Sequence, residues 1–203
     1  MAIHNQILEA VERLKKGEVV AYPTETFFGL GIDPHNQAAV ERLLKLKDRF
    51  LGEGISLIAA DLDAVNKLKI KDFNLEQRVK LQNKFWPGPL TLVVELKEVT
   101  ISKKLLANNG SIALRVSSGL IATELAKGIG GLITATSANF HGEAPAKTSS
   151  EVRTYFPEIF VLEQERDSAS QNTKPSTILS LLKSPFEVLR EGAISLTELS
   201  PYL

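Results

Sequence analysis

The sequence predicts a single α/β domain, and three observations lead there. Short β-prone apolar runs alternate with amphipathic helical stretches along the whole chain. Capping and turn residues punctuate them at fitting places. The 203 residues suit one large domain better than two small ones.

The elements follow in order. Ile3, Ile7, Ala10, Val11 and Leu14 share one helical face, and Gly17 is placed to end that helix. Glu18 to Tyr22 reads as a strand, which opens into a hydroxyl-rich loop, Pro23-Thr24-Glu25-Thr26, closed by Gly29 and Gly31. A second helix spans Ala38 to Lys47, with Val40, Leu43 and Leu44 inward. Ile55 to Ala60 is a short buried strand, and Asp61 caps the helix after it. Leu75 to Phe85 is helical until Trp86-Pro87-Gly88-Pro89 stops it, and Thr91 to Leu96 is a strand. Ser111 to Val116 and Leu132 to Thr136 are strands on either side of a helix, Leu120 to Lys127, closed by Gly128. Thr148-Ser149-Ser150-Glu151 matches a capping box for a helix reaching about Phe156. Phe160 to Leu162 is a brief strand, and Thr177 to Leu182 pairs with Phe186 to Arg190. The polar stretch at 163–175 shows no periodicity and reads as a flexible loop in the manner of a lid.

Composition excludes several classes. Lys plus Arg equals Asp plus Glu, 24 each, which argues against a broad nucleic-acid surface but not against a local basic pocket. There is no cysteine, so disulfides and thiolate zinc sites are impossible. The N-terminal segment reads as an amphipathic helix rather than a signal peptide, and no apolar run reaches membrane-spanning length. A cytoplasmic location, with no membrane partner, is the default expectation.

Chemistry concentrates at a few motifs. Tyr22-Pro23-Thr24-Glu25-Thr26 offers two hydroxyls and a carboxylate at a strand end, suited to a zwitterion or simply to a hydrogen-bonded turn. Lys47 and Arg49 reach one side only if their segment is extended. They would then converge on one anion as a fork and a point charge. Ser111, Ala113 and Arg115 share one strand face opposite Ile112, Leu114 and Val116. A guanidinium in so apolar a strand needs an anion, either a protein carboxylate or a ligand. Ser137 and Asn139 leave a buried strand facing the same way, and ligands of open α/β sheets gather at such carboxyl ends. There is no Walker A sequence and no GxGxxG fingerprint. His4, His35 and His141 are scattered and read as surface residues.

These blocks resemble the YrdC family, the L-threonylcarbamoyladenylate synthases of tRNA modification. The resemblance runs through Tyr22-Pro23-Thr24-Glu25-Thr26, Lys47-Asp48-Arg49, Phe85-Trp86-Pro87-Gly88-Pro89-Leu90-Thr91, Ala113-Leu114-Arg115-Val116, Ser137-Ala138-Asn139, Pro175-Ser176-Thr177-Ile178 and Leu189-Arg190-Glu191-Gly192-Ala193-Ile194. It implies a single YrdC-like domain over 1–203, the short form of the family, with a twisted mixed sheet and a concave, positively charged cavity. It implies that L-threonine, bicarbonate or CO₂, and ATP give threonylcarbamoyl-AMP and pyrophosphate, with Mg²⁺ arriving on ATP. A separate transferase complex would then use the product on tRNA, which the chain itself could contact. By the same resemblance Thr24, Arg115, Ala135 and Ser176 hold threonine. Lys47, Arg49, Ser111, Ser137, Asn139 and Arg190 hold ATP, with Lys47 and Arg49 catalytic through charge stabilisation. The chain departs from the pattern at Phe50, at His141 and over Ala144-Pro145-Ala146-Lys147-Thr148. A non-catalytic RNA-binding module of the same fold is the rival expectation.

Overall fold

The computed structural model describes residues 3–48, 52–71, 74–140, 142–163 and 174–203. In chain order these hold α1 (Ile3–Lys15), β1 (Val20–Pro23), β2 (Phe28–Gly31), α2 (Gln37–Leu46), β3 (Leu57–Ala59), α3 (Leu62–Lys67) and β4 (Ile70–Lys71). There follow α4 (Leu75–Phe85), β5 (Leu90–Leu96), β6 (Ser111–Val116), α5 (Leu120–Gly128), β7 (Leu132–Thr134) and β8 (Thr136–Ser137). The chain closes with α6 (Ser149–Tyr155), β9 (Phe160–Val161), β10 (Thr177–Ser180), β11 (Glu187–Arg190) and α7 (Leu196–Leu199).

The strands form two mixed sheets. The larger has the order β11-β10-β5-β6-β3-β7, with β4 on β5 as well, and the smaller has β8-β2-β1-β9. β5 is long enough to take β10 in parallel along Leu90–Val93 and β4 in antiparallel fashion at Glu95 and Leu96. On its other side it pairs antiparallel with β6, which runs parallel to β3. β7 follows β3 antiparallel, and Ala135 alone separates it from β8 in the second sheet. One short passage of chain therefore stitches the two sheets together.

Burial explains why the strand runs are continuously apolar. Leu57, Ile58 and Ala59 are all fully buried, because β3 is covered on both faces. Leu57 and Ala59 join the larger core with Leu90, Leu92 and Leu114, while Ile58 joins a second core with Tyr22, Ala122, Leu125 and Ile133 beneath α1 and α5. Truncating a residue such as Leu114 to Ala would cost about 2–5 kcal/mol. Helix ends follow their local signals. Gly17 leaves α1 at a φ of +79°, and the carboxylate of Asp61 accepts from the Ala64 amide at 2.8 Å to start α3.

Four expectations need correction. Phe28–Gly31, expected as loop, is the second strand of a hairpin with β1. Leu132–Thr136, expected as one strand, divides between the two sheets. The capping box at Thr148 is half formed. The Thr148 hydroxyl accepts from the Glu151 amide, but the Glu151 carboxylate takes the amide of Lys147 instead of that of Thr148. The Lys47 segment is not extended. Lys47 ends α2 in helical conformation (φ −85°, ψ −4°) and Asp48 turns to a φ of +45°. The expected flexible loop at 163–175 lies largely outside the described residues, as do Arg49, Phe50 and His141.

Candidate active site

The β1–β2 turn is built by its threonines. The Thr24 hydroxyl donates to the Phe27 carbonyl at 2.7 Å and accepts from the Thr26 amide at 3.2 Å, which tightens the turn. Glu25 is thereby aimed at β6. Its carboxylate takes one hydrogen bond from the Arg115 guanidinium and another from the Ser117 hydroxyl. Ser117 is oriented in turn by the Gly119 amide at 3.1 Å, at the threshold of α5. The anion required by the buried strand guanidinium is thus a protein carboxylate 90 residues earlier. Arg115 is only 6% exposed, and among the described residues Glu25 is its one hydrogen-bond partner. A guanidinium carries five N–H donors, so most of its capacity remains for an incoming group.

The larger sheet brings Arg190 and Ser176 to the same corner. Arg190 on β11 donates to the Ser176 carbonyl from Nε at 3.1 Å and from a terminal nitrogen at 2.8 Å. The Ser176 hydroxyl lies 2.8 Å from that of Thr91, next along β5 from Leu92, which faces Leu114 of β6. The Arg190 guanidinium is held below its ordinary pKa, first by burial and then by the positive charge of Arg115. The two guanidiniums therefore lie close enough for their charges to oppose one another, and of the two Arg115 is the one paired with Glu25. Tyr22 completes the floor of this corner: it is fully buried, donates to the Thr134 carbonyl at 2.7 Å, and its phenol is pushed well above the ordinary range by burial. Thr177 fixes the segment after Arg190. It accepts from the amides of Gly192 and Ile194 and donates to the Ile194 carbonyl.

Lys47 behaves differently. It is 6% exposed, and its ammonium donates to the carbonyl of Ser137 at 2.8 Å, to the carbonyl of Asn139 and to the Asn139 amide oxygen at 3.1 Å. Ser137 donates to that same amide oxygen at 2.5 Å, and the Asn139 side-chain nitrogen donates to the Glu143 carbonyl. Ser137 and Asn139, expected to face the same way, meet through this hydrogen bond, and Lys47 clasps both. Gly52 carries the chain back to the larger sheet at a φ of +94°, where its carbonyl accepts from the Asn108 amide at 2.9 Å. A side chain there would strike Asn108. Ser111 lies two residues beyond Asn109, to which its hydroxyl donates at 2.6 Å. Ala135 holds the passage between the sheets through its amide, 2.8 Å from the Ser56 carbonyl.

The structure thus gathers Thr24, Arg115, Ser176 and Arg190 at one corner, and Lys47, Ser137 and Asn139 at another. The β2–β8 pairing joins them, with Gly29 opposite Ser137. Sequence reasoning missed Ser117 and Thr177 as supports. The signal for Thr177 was its place between Ser176 and the strand, where a hydroxyl can serve two amides.

A family model for Sua5, YciO and YrdC, described as "Telomere recombination", matches residues 12–192. The chain belongs to this family. Curated relatives agree in name. Threonylcarbamoyl-AMP synthase of Histophilus somni is 43% identical over 188 residues, covering 92% of this chain and 99% of the relative. That of Klebsiella pneumoniae is 37% identical over 188 residues, covering 92% and 95%. The expected synthase activity accords with these names. Among solved structures, P. abyssi Sua5 complexed with L-threonine superposes with a TM-score of 0.88 at 26% identity, over all of this chain and 58% of that one. This chain therefore spans little more than half the length of that Sua5. E. coli YciO, at 24% identity and a TM-score of 0.80, shares the mixed α/β fold. No helix among the described residues is long and apolar enough to cross a membrane.

Proposed function

We propose that this member of the family is a threonylcarbamoyl-AMP synthase that joins L-threonine, CO₂ or bicarbonate, and ATP. The observation that carries the reading is the buried Arg115 guanidinium, bound by one protein carboxylate, Glu25, with donors left over and Arg190 on Ser176 close enough to oppose its charge. The surplus positive charge suits the carboxylate of an amino acid beside the phosphates of a nucleotide. Curated relatives over nearly the full length carry the synthase name, and the likeness to a threonine-complexed Sua5 supports the amino acid.

In this mechanism Arg115 receives the threonine carboxylate, with Thr24, Ala135 and Ser176 around the rest of the molecule. The threonine ammonium releases one proton to solvent, its nitrogen adds to CO₂, and loss of a second proton from that nitrogen leaves a carbamate. A carbamate oxygen then attacks the α-phosphorus of ATP in line, and the bond to the bridging oxygen breaks to release pyrophosphate. Arg190, Ser111, Ser137, Asn139 and Arg49 would hold the nucleotide and its phosphates. Lys47 would act chiefly by shaping the 137–139 segment and lending it charge. Mg²⁺ would come with ATP and offset charge on the leaving pyrophosphate. Catalysis of this kind is positioning and preorganised charge, without a dedicated base. The product would pass, in the cytoplasm, to a transferase complex acting on tRNA.

The test is pyrophosphate release by purified protein with Mg²⁺ and ATP, with L-threonine and bicarbonate added or omitted. Release that needs both co-substrates supports the synthase. Release indifferent to either, or none from folded protein, overturns it.

A further inference from the structure

The carboxylate already seated on Arg115 poses a question of admission. Any carboxylate that docks on this guanidinium arrives beside Glu25, whose oxygens are fixed by Arg115 on one side and by Ser117, itself held by the Gly119 amide, on the other. Glu25 is nearly buried: its side chain is 12% exposed and that of Arg115 is 7%. In so dry a corner two like charges repel strongly. A simple carboxylate gains Arg115 but leaves its repulsion with Glu25 unanswered. An α-amino acid brings an ammonium group one carbon away from its carboxylate, and this group can lie against Glu25 while the carboxylate takes the unused N–H donors of Arg115.

We propose that Glu25 is the specificity residue of the amino-acid site, admitting zwitterions to Arg115 by receiving their ammonium group and rejecting ligands that carry a carboxylate alone. This rests on the threonine reading above and goes further, because the sequence left the Tyr22-Pro23-Thr24-Glu25-Thr26 motif open between a zwitterion site and a hydrogen-bonded turn, whereas the ammonium is here assigned to the Glu25 carboxylate alone. Several features fit. Glu25 stands on a turn that Thr24 and Thr26 make rigid, so its carboxylate does not swing freely to solvent. Arg190, near enough to oppose the charge of Arg115, adds a second positive charge that the zwitterion's carboxylate can share. The Ser117–Gly119 relay holds Glu25 in place whether or not Arg115 is engaged by substrate.

The experiment is calorimetric titration of the full chain with L-threonine and with 3-hydroxybutyrate, which is threonine carrying hydrogen in place of its ammonium. Wild-type protein should bind threonine and bind 3-hydroxybutyrate at least about tenfold more weakly, the scale of one charge-assisted hydrogen bond. Glu25→Gln keeps the shape and an oxygen for Arg115 but removes the charge. It should weaken threonine about tenfold, leave 3-hydroxybutyrate as tight or tighter, and so collapse the preference. Equal shifts of both ligands, or an unchanged preference, overturn the proposal. Ser117→Ala loosens Glu25 without removing its charge and should keep the preference; collapse there as well would mark a structural effect and also overturn it. ATP binding and the melting temperature report whether each variant is folded. Wild-type protein that binds neither ligand would instead refute the threonine site itself.

Discussion

The two cationic corners of this molecule use their charge in opposite ways. At Lys47 three oxygens of the 137–139 segment accept the ammonium, two of them main-chain carbonyls, and the charge is spent on holding a loop. At Arg115 one protein carboxylate accepts from a guanidinium with donors to spare, and a second guanidinium stands close by. Both side chains are equally buried, so burial does not distinguish a tie from a binding group. The number and kind of acceptors does. A point charge ringed by carbonyls organises a loop, whereas a fork answered by one carboxylate can take a second anion.

Substitutions should pull the corners apart. Arg115→Ala has the largest expected effect: threonine-dependent pyrophosphate release should fall about 100-fold or more, as for loss of a preorganised charge. It should also destabilise the fold by about 3 kcal/mol in denaturant titration, because Glu25 is left buried without its ion-pair partner. Lys47→Met should cost about 2–3 kcal/mol of stability and raise the KM for ATP more than that for threonine. An equal rise in both would erase the distinction between the corners. Thr177→Val strips the hydroxyl that serves the Gly192 and Ile194 amides, and should cost about 1–3 kcal/mol with a weaker grip on ATP through Arg190. Gly52→Ala forces a side chain into a φ of +94° against Asn108, and should cost about 1–3 kcal/mol, read in the same titration. Thr148→Ala, at the N-terminus of α6 and away from both corners, should lower stability by about 1 kcal/mol and leave turnover unchanged.

The sequence made some of this legible and concealed the rest for physical reasons. Leu75–Phe85 and Ser111–Val116 were readable to the residue because helix period, stop signal and strand alternation are local. Phe28–Gly31 was not, since two glycines and no alternation suggest a loop until β1 supplies the partner strand. The need of Arg115 for an anion was evident from its apolar strand. Its choice of Glu25 was not, because the partner lies in a distant turn. The fate of Lys47 was hidden most fully, since carbonyl acceptors belong to every residue and leave no mark in a sequence. The half-formed cap at Thr148 shows the same limit on a smaller scale, where the Glu151 carboxylate had two amides within reach.

The most direct measurement is the mass of the adenylate formed from ATP, L-threonine and ¹³C-bicarbonate, by wild-type protein and by Arg115→Ala. The expected result is threonylcarbamoyl-AMP carrying one ¹³C from the wild type and almost none from the variant. Unlabelled adenylate alone, or equal labelled product from both proteins, would contradict an amino-acid site centred on Arg115.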